Sequence, residues 1–145
     1  MKNLLPILLL VMITSIFGCG SSAGTWEDDA QNWNRAFNST QPKDVNIIHS
    51  KFWISSHWTY EYSYFFKIEK NDLLKKQLFA KNKLKQIEGK EAEEAMNDFF
   101  DEKPIWFIPL DATKYDIYIL IEPKGNFKVF VDKETNDIYL TDYSV

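Results

Sequence analysis

The sequence predicts an α+β domain with a mostly antiparallel sheet of four to five strands packed by helices. Three observations carry this. Along 58–68, Trp58, Tyr60, Tyr62, Tyr64, Phe66 and Ile68 point one way, while Thr59, Glu61, Ser63, Lys67 and Glu69 point the other, with Phe65 the exception. Period two over that length is the pattern of a half-buried antiparallel strand. Ala92, Ala95, Met96 and Phe99 recur at i, i+3, i+4 and i+7, the stripe of a helix lying on a sheet. The last thirty residues hold three short apolar runs separated by turn residues, which reads as a meander.

Taken in order, the first helix is expected at 26–37. Thr25 is placed to cap it, and Glu27, Asp28 and Asp29 suit its positive end. Trp26, Ala30, Trp33 and Phe37 share its buried face. Asn38-Ser39-Thr40 matches a glycosylation sequon and is read as a polar helix exit towards Pro42. The run 45–54 (VNIIHSKFWI) is rich in β-branched and aromatic residues and is expected as a strand, turning at Ser55-Ser56 into 58–68. A second helix is expected at 72–87, capped by Asn71 or Asp72, with Leu73, Leu74, Leu78 and Phe79 inward. Leu84 and Ile87 extend it, and Gly89 ends it.

The third helix is expected at 90–101. Pro104 and Pro109 then bracket Ile105-Trp106-Phe107-Ile108 and confine that segment to an edge strand or a loop. In 115–122 Tyr115, Ile117, Ile119 and Ile121 share a face. Pro123-Lys124-Gly125-Asn126 turns the chain into 127–132, where Phe127, Val129 and Val131 align. Asp132 to Asp137 turns it again, with Asn136 suited to a left-handed position, into 137–143, where Ile138 and Leu140 continue the buried face. Residues 26–145 read as one domain.

The N-terminus has a different character. Lys2 precedes an apolar run from Leu4 to Phe17, about 14 residues, short of the roughly 20 that span a bilayer as a helix. This is the length of a signal-peptide core. Ile16-Phe17-Gly18-Cys19 resembles the lipobox of bacterial lipoproteins, with an aliphatic residue three places before the cysteine and a small one directly before it. Phe17 is bulkier than is usual at its place. The resemblance covers residues 1–19 alone. It implies that 1–18 are removed and that the Cys19 sulfur carries diacylglycerol, with a further acyl chain on the new amino group. Two or three chains hold a protein firmly where one does not, since each buried CH₂ contributes about 0.8 kcal/mol. Gly20 is not the aspartate that marks inner-membrane retention, so the resemblance points to the outer membrane. Residues 19–25 then form the lipidated cysteine and a short tether, of which Gly20–Gly24 spans roughly 12 Å. Ser21 and Ala23 also suit an ordinary secretory cut, which would release a soluble periplasmic or secreted domain.

Loss of residues 1–18 leaves 127 of the 145 and removes Lys2 alone among charged residues. The 17 basic and 21 acidic side chains become 16 and 21, a net charge of −5. This weak acidity argues against nucleic acid as a partner, which would favour a basic face. Cys19 is the sole cysteine, so no internal disulfide forms. The seven lysines between Lys70 and Lys90 are read as a solvated helix face.

No catalytic constellation is expected. His57 and Glu61 lie about 13 Å apart on an extended strand, and a hairpin about Ser55-Ser56 would pair His49 near residue 62, away from His57. Neither arrangement gathers the ligands of a metal site. Ser55-Ser56-His57 reads as a polar turn, and five glycines leave little room for a phosphate-cradling loop, so no cofactor is expected. Recognition fits better. Trp53, His57 and Trp58 surround one turn, and Trp106 with Phe107 occupies another rim segment. Large aromatic rings anchor interfaces, and they also fill cores. The expected function is a noncatalytic, membrane-anchored envelope lipoprotein that binds a protein partner, as an inhibitor or immunity-type protein does. The alternatives are an envelope structural or assembly lipoprotein and a small hydrolase using His57.

Overall fold

The computed structural model describes residues 23–56, 60–122 and 125–145. Cys19 with its apolar leader, His57 and Trp58, and Pro123-Lys124 lie outside the described residues. The fold is α+β: one antiparallel sheet with helices on both faces. In chain order the strands are β1 (Gly24–Glu27), β2 (Ile47–Ile54), β3 (Tyr62–Ile68), β4 (Leu84–Ile87), β5 (Tyr115–Leu120), β6 (Lys128–Asp132) and β7 (Ile138–Ser144). The helices are α1 (Asn32–Phe37), α2 (Asp72–Lys81) and α3 (Gly89–Ala95), with a 3-10 turn at Ala112–Lys114. The strand order is β1-β2-β3-β7-β6-β5-β4. An N-terminal set of three strands and a C-terminal set of four therefore meet along β3 and β7, from Tyr62↔Ser144 to Ile68↔Ile138.

Seven strands replace the expected four to five, because β1 forms where the end of the tether and the start of the first helix were expected, and β4 where the second helix was. Trp26 shares helical spacing with Trp33, but its backbone pairs with Phe52 in β1. Asp28 then takes a left-handed turn (φ 48°), donates its N–H to Ser50 O at 2.7 Å and accepts Ser50 N–H on Oδ1 at 2.8 Å. These bonds hold the chain at the sheet edge, and helix begins only at Asn32. Asn32 is fully buried. Its Nδ2 donates to Trp26 O and Ser50 Oγ, both at 3.0 Å, tying α1 to β1 and β2.

Leu84 and Ile87 show how one spacing serves two structures. Three residues apart, they would share a helix face; in an extended chain they point to opposite faces. The helix ends at Lys81, with the Asn82 backbone extended, and Leu84 and Ile87 enter different cores. Gly89 does not end α2. It stands at the start of α3 with φ +57°, a conformation that glycine adopts without a side-chain clash. Leu73 faces solvent, not the core. The α3 stripe of Ala92, Ala95, Met96 and Phe99 packs as expected, though regular helix stops at Ala95. The segment between Pro104 and Pro109 is a loop. Ile121 is exposed and does not share the face of Ile117 and Ile119. Asn136 is left-handed (φ 63°) as expected, in a turn that Asp132 caps through Glu134 N–H and Thr135 N–H.

The sheet has a core on each side. Under α1 and α2 lie Trp33, Phe52, Tyr64, Phe66, Val129 and Leu140. Under α3 and the segment that follows it lie Phe65, Met96, Phe107, Ile117, Phe130 and Tyr139. Phe65 breaks the alternation of β3 because its face is covered too, and the strand is buried on both sides instead of half-buried. Ring packing on Phe99 and Phe107 accounts for it, with centroids at 5.7 and 5.0 Å. Phe65→Ala is therefore expected to lose about 3–5 kcal/mol of stability in urea unfolding, as a core site does; a loss near zero would mean that this face is open.

Candidate functional site

The face of β2 that carries His49, Lys51 and Trp53 is crossed by residues 99–108, running opposite to the strand. Three contacts fasten them in sequence. Phe100 packs on Trp53 (5.6 Å between centroids) and stacks on Tyr143 (6.0 Å). Lys51 Nζ pairs with Asp101 Oδ2 at 2.9 Å and donates to Glu102 O at 3.2 Å. Trp106 stacks on the His49 ring at 5.3 Å. His49 Nδ1 lies 3.2 Å from Asp28 Oδ2, so the imidazole is held by the β1 turn on one side and by the indole on the other.

This strap buries its last two residues and exposes Ile105 before them. Phe107 and Ile108 are fully buried, and Phe107 touches Phe65, Phe130 and Tyr139. Ile108 holds a left-handed backbone (φ 38°), costly for a β-branched side chain, and its burial offsets that strain. A turn from Phe107 N–H to Pro104 O (2.9 Å) projects Ile105 outward with 95 % of its surface exposed. Lys103 Nζ donates to Ile108 O at 3.3 Å, and desolvation there lowers its ammonium pKa. Leu110 and Phe100 add exposed apolar surface, and Glu27, Asp28 and Glu102 add exposed carboxylates. The site is an apolar tip on a fastened segment, beside an acidic rim.

Of the residues singled out from sequence, Trp53 and Trp106 both lie along this strap, half-buried, while His57 and Trp58 lie outside the described residues. Phe107 belongs to the core and offers no surface to a partner. His49 pairs with Lys67, not near residue 62, because the register runs from Ile54↔Tyr62, with Ser55 N–H bonded to Glu61 O. The sequence reading missed Ile105. An isoleucine beside tryptophan and phenylalanine reads as core, and the two flanking prolines were the available signal that the segment is a projecting loop. Among the described residues no three His, Cys, Asp or Glu side chains gather as a metal ion requires. Comparison of the chain with family models, curated proteins and solved structures finds no match.

Asp29 anchors the turn behind the rim. Its Oδ1 accepts Gln31 N–H at 2.7 Å and Arg35 Nη1 at 2.9 Å, and these bonds lower its pKa from 3.8. A lowered carboxyl pKa stabilises the fold in full above pH 3.8, and that contribution fades as pH falls through the lowered value. The stability gap between wild type and Asp29→Asn is expected to be flat above about pH 4 and to shrink below it in unfolding curves. Within the strap, Phe107→Ala should cost about 3–5 kcal/mol and Trp106→Ala only about 1 kcal/mol by the same measurement, since only the first empties a core position.

Proposed function

We propose that the chain is an envelope lipoprotein, anchored through acyl chains on Cys19, and that its domain is a noncatalytic module that binds a protein. The inhibitor or immunity type fits best: one small domain presents a preset surface to an enzyme working at the membrane or in the periplasm. The observation that carries the binding role is Ile105, almost wholly exposed on a segment fastened at Trp53, Lys51 and His49. A side chain already held in position loses little entropy when a partner buries it, and apolar anchors ringed by polar groups dominate interface energetics. The acidic rim suits a partner with a basic margin.

The topology also favours this use of the tip. Gly24 pairs with Ile54 and Glu27 with Lys51, so β1 runs away from the proposed tether towards the Asp28–His49–Trp106 end. That end lies about 10 Å along the strand from Gly24 at roughly 3.3 Å per residue, and Ile105 directly precedes Trp106 there. An anchored domain would keep its tip clear of the attachment point.

Two measurements test the two halves of the proposal. Mass spectrometry of the mature protein is expected to find an acylated N-terminal Cys19 in wild type and none in Cys19→Ser; an unmodified terminus at Gly24 would replace the anchored protein with a soluble exported one. A photo-crosslinker placed at position 105 in living cells is expected to capture one protein species, and Ile105→Asp to lose that partner in pull-downs while keeping the wild-type melting temperature. Absence of any protein adduct from position 105 rules out the tip as the docking point.

A further inference from the structure

The opposite face of the sheet contains a cavity of about 580 Å³ between α1, α2 and the strands, within the range of small-molecule sites. Trp33, Phe37, Tyr64, Leu78 and Phe127 make its walls, and Asp142 supplies a carboxylate. One polar group on these walls has no partner in the protein. The Trp33 side chain is 6 % exposed, and its Nε1–H is buried with no hydrogen-bond partner. Leaving such a donor unpaired costs about 1–3 kcal/mol.

Asp142 accepts Tyr143 N–H on Oδ1 at 2.9 Å and the Tyr62 hydroxyl on Oδ2 at 3.2 Å. Among the described residues no lysine, arginine or histidine forms an ion pair with it; Lys81 also lines the cavity but is not bonded to it. Burial raises the Asp142 pKa, and the Tyr62 hydroxyl is pushed up to about 12 by its own burial and by this carboxylate. A partly buried carboxylate without a cation, set among aromatic rings, has the chemistry of an ammonium site. The carboxylate supplies charge, and the ring faces attract the cation in addition.

We propose that this cavity binds a small organic cation, an amine with an apolar body, with its ammonium at Asp142 and its body against Trp33, Phe37 and Phe127. A hydrogen-bond acceptor on that body would satisfy Trp33 Nε1–H. This goes beyond the protein-binding role and does not depend on it, since the cavity and the Ile105 tip lie on opposite faces of the sheet.

The test uses tyramine and octylamine as probes on the folded domain, with 3-(4-hydroxyphenyl)propanoate as the charge-reversed analogue of tyramine. Calorimetry is expected to show saturable binding of at least one amine below about 10 mM and none of the propanoate. Asp142→Asn is expected to weaken amine binding about tenfold or more, as loss of a charge-assisted hydrogen bond does. The Trp33 indole N–H resonance, assigned through Trp33→Phe, should shift on saturation. The Leu78→Trp variant, which fills the cavity, should bind neither amine while keeping a native spectrum. Equal binding of amine and propanoate, unchanged affinity in Asp142→Asn, or no saturable binding of either amine to the wild-type domain would each overturn the proposal.

Discussion

The pairing of β3 with β7 holds the molecule together. Tyr62 to Ile68 meets Ser144 to Ile138 residue for residue, joining segments some seventy or more positions apart in sequence. Without that ladder the chain is two separate sheets, each with one more open edge. With it, both cores become continuous across the junction: Phe66 meets Leu140 on one face and Phe65 meets Thr141 on the other. Closing such distant segments costs loop entropy before contacts offset it, so the physics favours slow folding with the C-terminal strand as a late and necessary partner.

The two faces then diverge. One is covered by α1 and α2, which leave the aromatic cavity beside Asp142. The other is covered by α3 and by a strap of irregular chain, which must satisfy its backbone and its charges locally. Lys51 meets Asp101, and Lys128 is drawn fully under the segment, where its Nζ bonds Asp98 Oδ2 at 2.9 Å and lies 5.0 Å from the Phe99 ring centroid. The same fastening sets Ile105 outward, and the buried neighbours Phe107 and Ile108 keep it there despite the left-handed backbone at Ile108. The projecting tip and the deep core residues are thus parts of one device, in which burial of two side chains fixes the direction of a third.

Parts of the site are legible in the sequence. Trp53 and Trp106 stand out as large aromatics beside turn residues, and both lie along the strap. Phe107 is as large and aromatic as Trp106 but is buried where Trp106 is half-buried, because the turn closed by Pro104 O and Phe107 N–H directs it under the strap. Ile105 was hidden by its own chemistry, since exposure of an isoleucine is a property of the turn at Pro104. Asp142 and Trp33 were unreadable as a pair: a terminal-strand aspartate and a helical tryptophan come together only through the strand order.

The sequence by itself determined the local features: a strand at β3, the α3 stripe, the left-handed Asn136 and the α+β class. These depend on side-chain spacing and on turn residues, which act over a few positions. Tertiary structure alone decided that Gly24–Glu27 and Leu84–Ile87 are strands, that Phe65 is core, and which aromatic rings reach the surface. Edge strands form when a distant partner supplies their hydrogen bonds, here β2 for β1 and β5 for β4. An apolar residue is inside or outside according to what covers it. Both are non-local conditions, and spacing along a chain does not encode them.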